Sequence, residues 1–242
     1  MKNKSLNLKT KQLFKKAVSL ITAAVMVFTI LPLQPITAYA EGTPEGYTYD
    51  AGRNTYTVST FDGLATALAA GGNIVLNNDI TKDNPNAETP VPAGVTAVLD
   101  LNGKTITLAY GVGTIYDVIS VYGNLTIKDS ATGGTIDASA NSVAGALSCE
   151  SGSTLTIESG TYKAGDTSSA IVIYGGNIDI KGGAFCGGNS LWVSDDADID
   201  IYGGTFENDL IINYGTTDIH GGVIKCLVID SQEIDSVTIH GG

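Results

Sequence analysis

From the middle of the chain to its last residue, apolar and polar positions follow one phrase. An apolar-polar-apolar triplet is followed by a polar residue, two glycines and a short run carrying another apolar residue. It reads Ile178-Asp179-Ile180-Lys181-Gly182-Gly183-Ala184-Phe185, then Ile199-Asp200-Ile201-Tyr202-Gly203-Gly204-Thr205-Phe206, then Asp218-Ile219-His220-Gly221-Gly222-Val223-Ile224, and again Val237-Thr238-Ile239-His240-Gly241-Gly242. One supersecondary unit recurring in this way predicts a solenoid, in which each unit buries its apolar face against its neighbours.

Alignment on the glycine turns yields three strand rows. The first runs Ile119-Ser120-Val121, Leu147-Ser148-Cys149, Ile171-Val172-Ile173, Leu191-Trp192-Val193, Leu210-Ile211-Ile212 and Leu227-Val228-Ile229. The second runs Leu99-Asp100-Leu101, Leu125-Thr126-Ile127, Leu155-Thr156-Ile157, then Ile178, Ile199, Thr217 and Val237 with the two residues after each. A third, short strand after the glycines carries Ile106, Ile136, Tyr162, Phe185, Phe206 and Ile224. Three short strands per turn predict a parallel β-helix. Period-two alternation turns the flanking residues of each triplet inward and the middle one outward, and places Cys149 in the core. Corners between strands need positive φ and close packing, which accounts for the 30 glycines. Successive second-row positions from Leu101 lie 26, 30, 23, 21, 18 and 20 residues apart. The longer early coils therefore carry loops, around 130–134 and 138–144, of the kind that gather on one side of a solenoid and make its binding surface.

Ahead of the coils, Thr60 or Ser59 suits an N-cap, Phe61, Leu64 and Leu68 recur at helical spacing, and Gly71 suits the C′ position. A short helix over 60–70 is expected to plug the open end of the core. With the strand after it and Leu99-Asp100-Leu101-Asn102-Gly103-Lys104-Thr105-Ile106, this start resembles that of right-handed parallel β-helix proteins of the pectin-lyase-like class. The resemblance spans roughly residues 55–242 and implies an all-β, right-handed parallel β-helix solenoid of about seven coils with a short N-terminal capping α-helix. It does not by itself imply a function, because this fold hosts lyases, hydrolases, adhesins and passive stalks.

Residues 1–40 have the parts of a secretory signal: six lysines, an apolar run from Ala17 to Leu33, and Ala38-Tyr39-Ala40 at the cleavage site. The run falls short of the ~20 residues of a spanning helix and contains Pro32, so no membrane insertion is expected after cleavage. The leader resembles those of Gram-positive secreted proteins, and a secreted or cell-surface location follows. Residues 41–59 form a lead-in, and 60–242 the solenoid. The remaining 7 cationic residues against 25 acidic ones leave a charge of −18, which excludes nucleic acid and anionic lipid as partners and favours cations or neutral ligands. Cys149, Cys186 and Cys226 are too few for a disulfide scaffold, leaving core or loop thiols or one Cys186–Cys226 bridge.

Candidate chemistry is sparse. Lyases of the class typically use Arg or Lys as base with Ca²⁺ held by Asp, but the one arginine here, Arg53, precedes the coils. Of the four polygalacturonase-like motifs only Asp195-Asp196 is matched. Asp179, Asp200 and Asp218 form an outward row on consecutive coils, with Asp100 further up, and strands ~4.8 Å apart would let neighbours share a cation or act as a carboxylate pair. This row is the candidate Ca²⁺ site, and the catalytic set if the chain is an enzyme; the alternative is a solvated acidic stripe. His220 and His240 occupy equivalent outward slots. The outward row Ser120, Ser148, Val172, Trp192, Ile211, Val228 turns apolar, and the single Trp192, flanked by Tyr174 and Tyr202, suits stacking on a sugar ring. The alternative is a loop, domain or second copy covering the stripe. The chain stops in mid-coil, so a longer protein, or a partner capping the last coil, is expected.

These features predict a non-catalytic, adhesin-like surface module that contacts polysaccharide or cell-surface glycan, similar to β-helix segments of large surface proteins from gut Firmicutes. A polysaccharide lyase or glycoside hydrolase, and a purely structural stalk, are the alternatives. No cofactor other than Ca²⁺ is expected.

Overall fold

The computed structural model describes residues 46–112 and 115–240, so the expected signal peptide lies outside the described residues. β1 (Tyr47–Asp50) pairs antiparallel with β2 (Thr55–Val58), and α1 (Phe61–Ala70) follows. The chain then forms β3 (Gly72–Leu76), β4 (Ile80–Lys82) and β5 (Pro90–Val91); β6 (Thr96–Asp100), β7 (Thr105–Leu108) and β8 (Ile119–Val121); and β9 (Asn124–Lys128), β10 (Thr135–Asp137) and β11 (Leu147–Cys149). Next come β12 (Thr154–Ile157), β13 (Thr161–Lys163) and β14 (Ser169–Ile173), then β15 (Gly176–Ile180), β16 (Ala184–Cys186) and β17 (Asn189–Val193). β18 (Ala197–Ile201) precedes two long strands, β19 (Thr205–Ile219) and β20 (Val223–Ile239), in which register shifts take the place of open turns.

From β3 to β16 each strand pairs in parallel with the strand three further on, β3 with β6, β4 with β7, β5 with β8 and so on up the stack. This is the pairing of a β-solenoid: an all-β chain whose backbone donors and acceptors are satisfied coil against coil. The glycine phrase, expected to form corners, does so for two separate reasons. At Gly203 a Cβ would stand 2.7 Å from the Lys181 carbonyl oxygen of the coil below, while Gly204 has φ +104°, which side chains resist. Gly182-Gly183 and Gly221-Gly222 repeat this division.

Leu, Ile and Val fill the interior, and Tyr162, Phe185 and Phe206 make a fully buried ladder with centroids 5.2 and 4.9 Å apart and nearly parallel planes. Cys149 is buried among them, as the alternation predicts. α1 forms over the expected residues: the Thr60 hydroxyl accepts from the Gly63 amide at 3.2 Å and Gly71 closes the helix. Leu64, Ala67 and Leu68 join the core against β2, β3 and β5.

Two readings change, and one open alternative, a Cys186–Cys226 bridge, closes. Asp100 does not share a row with Asp179, because Leu99, not Leu101, pairs with Ile127, and Val98 takes the position opposite Thr126. The two-residue slip leaves Asp100 at a buried corner, where Oδ1 accepts from the Asn102 and Ser130 amides. All three cysteines are free: Cys186 and Cys226 lie in different strand rows, paired opposite Lys163 and Asp209. Coils also begin earlier than the glycine phrase shows, at β3. There β4 turns Lys82 inward beside Ile80, and its amine donates to the Asp117 carbonyl at 2.7 Å, so the apolar alternation is broken at the place it was needed.

Candidate functional site

The row that contains Trp192 forms in the expected register: Ser120 pairs opposite Ser148, then Val172, Trp192, Ile211 and Val228. Its members up to Ile211 are the floor of a cleft of about 640 Å³. Ser120, Ser148 and Val172 point out of the solenoid yet are buried, whereas Trp192 is 37% exposed. Loops shelter the early part of the stripe and leave the indole uncovered.

One wall of the cleft stands where the floor strands end. Tyr122, Glu150 and Tyr174 occupy the same place on three consecutive coils, with the Glu150 amide bonded to the Val121 carbonyl and the Tyr174 amide to the Cys149 carbonyl. The opposite wall is a stack of loops leading into the floor strands. Tyr116 donates its amide to the Pro85 carbonyl, Val118 to Gly145, and Asn141 bridges Gly111 and Ala109 through its side-chain amide. The Thr167 hydroxyl donates to the Ser142 carbonyl. The 138–144 loop flagged by coil length contributes Val143, whereas the 130–134 turn does not line the cleft.

The charged groups of the cleft are all acidic, and no Lys, Arg or His is among the described residues that line it. Glu88 accepts a 2.6 Å hydrogen bond from the Tyr122 hydroxyl, which pushes that phenol up to about 12. Burial raises the Asp117 carboxyl above its ordinary range, opposed by the Gly145 amide, which donates to it at 2.5 Å, and by Lys82 behind it. Glu150 is raised by burial and by the charges of Glu88 and Asp117, so these carboxylates feel one another across the cleft. Glu88, Asp117 and Glu150 were missed by sequence reading: the loops that carry Glu88 and Asp117 have no fixed spacing, and Glu150, though it follows a first-row triplet as Tyr122 and Tyr174 do, has no signal that sets it apart from a solvated turn residue.

The other expected site residues lie elsewhere. Asp179, Asp200 and Asp218 do stack in register on consecutive coils, half-buried, but outside the cleft. His220 Nε2 lies 3.1 Å from Asp200 and His240 Nε2 3.5 Å from Asp218. Tyr202 is not beside Trp192: its ring stacks on His220 at 4.7 Å, and His220 on His240 at 4.3 Å. Among the described residues no three His, Cys, Asp or Glu side chains converge as a metal site would require. Of the three expected ligand-binding aromatics the structure thus brings Trp192 and Tyr174 together, adds Tyr116 and Tyr122, and leaves Tyr202 apart.

Compared with protein-family models, with curated proteins and with solved structures, the chain matches none.

Proposed function

We propose that this chain is a glycan-binding module of a secreted or cell-surface protein, a right-handed β-helix of the pectin-lyase-like type with α1 capping its N-terminal end. The observation that carries the reading is the cleft, in which Trp192, Tyr174, Tyr122 and Tyr116 are each more than a third exposed around one cavity. Amphipathic rings at a partly wetted surface are the chemistry that receives the apolar face of a pyranose while the sugar hydroxyls meet polar neighbours. Ser148, Asn189 and the carboxylates supply those neighbours. The secretory leader expected from the sequence fits such a partner.

The test is depletion of the protein by insoluble polysaccharides and bacterial walls, with and without Ca²⁺, alongside Trp192→Ala and a reducing-sugar assay. The reading expects depletion by at least one glycan, lost in Trp192→Ala, without released sugar. Binding that survives Trp192→Ala would place it elsewhere, and released sugar would make the chain a hydrolase or lyase. A calcium requirement would return attention to the row Asp179, Asp200 and Asp218.

A further inference from the structure

The cleft joins two kinds of group that both favour a positive charge. Exposed aromatic faces attract cations through their quadrupoles, Trp most strongly. Carboxylates attract them directly, and in a cleft with low-dielectric walls the field of several like charges is focused toward the opening. Trp192, Tyr174, Tyr116 and Tyr122 supply the first, Glu88 and Glu150 the second. Asp117 contributes less, since the buried Lys82 amine, bonded to its carbonyl oxygen, lies behind it. No cationic side chain among the described residues lines the cleft to receive a carboxylate or sulfate from a ligand.

We propose that the cleft selects glycans carrying free ammonium groups, polymers of amino sugars, over neutral glycans and against uronic-acid polymers. This rests on the glycan-binding reading and names the substrate class of that same site. Glu150 stands two coils before Trp192, about 10 Å along the solenoid, so in an oligomer with one ring stacked on Trp192 the ammonium of a neighbouring unit would replace water as the partner of this half-buried carboxylate. A uronate in the same place would add a negative charge to carboxylates already repelling one another.

Isothermal titration calorimetry of the full chain with short oligomers of glucosamine, N-acetylglucosamine and galacturonate, at ~0.15 M salt to screen long-range attraction, separates the outcomes. The proposal expects the glucosamine oligomer to bind about tenfold more tightly than the neutral one, a difference that charge–charge contact across a partly buried interface supplies, and the uronate not at all. Glu88→Gln and Glu150→Gln, each checked for an unchanged melting transition, should bring the cationic-to-neutral ratio toward one, while Trp192→Ala weakens every ligand. Asp195→Asn, outside the cleft, should leave the ratio unchanged. Equal affinity for neutral and cationic oligomers with retained Trp192 dependence overturns the charge selection and leaves the glycan site standing. A cationic preference that survives both glutamine variants overturns it too, by assigning the preference to the acidic chain as a whole. Absence of binding by all three oligomers sinks this proposal together with the glycan reading.

Discussion

His220 places Nε2 3.1 Å from the Asp200 carboxylate of the coil before it, and the same pairing recurs between His240 and Asp218 at 3.5 Å. Two members of the acidic row that the sequence offers as a cation or catalytic site, Asp200 and Asp218, are therefore partnered from the next coil, while their outward faces stay in solvent. Exposed pairs of this kind contribute little, about 0–1 kcal/mol. His220→Ala and Asp200→Asn should each shift stability by less than about 1 kcal/mol and leave glycan depletion unchanged. Loss of binding in Asp200→Asn would move the site from the cleft to this row.

Phe185 carries much more. It is fully buried and stacked on both sides, by Tyr162 at 5.2 Å and by Phe206 at 4.9 Å. Phe185→Ala removes two aromatic contacts and leaves a cavity between coils that cannot close without breaking strand pairing. Chemical denaturation should show a loss of about 3–5 kcal/mol.

Thr217 occupies an inward slot that Ile199 fills one coil earlier and Val237 one coil later, and its hydroxyl is buried with no hydrogen-bond partner among the described residues. Thr217→Val keeps the shape and removes the unpaired group. The variant should gain about 1 kcal/mol, seen as a raised denaturation midpoint with unchanged slope.

Lys82 ties stability to pH. Burial lowers its ammonium to about 8, against the opposing pull of Asp117 and Glu88, whereas the unfolded chain titrates near 10.5. Between those values the unfolded chain binds more protons, so this group's contribution to stability rises with pH across that window and is lowest below it. The difference between wild type and Lys82→Met should therefore grow in favour of wild type from about pH 7 to about pH 10, by up to roughly 3 kcal/mol. A constant difference would mean that Lys82 is solvated in the folded protein.

The repeat phrase made most of the solenoid readable, because an inward triplet and a pair of glycines are constraints that every coil must satisfy locally. Register from Leu125 onward and the burial of Cys149 follow from that, while the helix from Phe61 was readable from its own signals, the Thr60 cap, the apolar spacing and Gly71. Asp100 was misplaced because a two-residue slip preserves the face alternation, and what distinguishes the registers is a corner hydrogen bond to Ser130, 30 residues away. The first coil was missed because Lys82 sits inward, satisfied by a carbonyl that only the folded chain brings near. At the cleft, the floor and Tyr174 were legible and the rest of the walls was not: Trp192 announces itself by alternation, but Glu88, Asp117 and Tyr116 sit in loops whose positions are set by loop-on-loop hydrogen bonds.

Trp192 is the only tryptophan in the chain and stands on the floor of the cleft, so its fluorescence reports on that site alone. Titrating the protein with soluble oligosaccharides while recording emission is the most direct test of the central claim. A saturable blue shift with the ligand that also depletes the protein is the expected result, since a sugar stacked on the indole displaces water from it. Binding measured calorimetrically with no change in emission would contradict the account and place the ligand elsewhere on the solenoid.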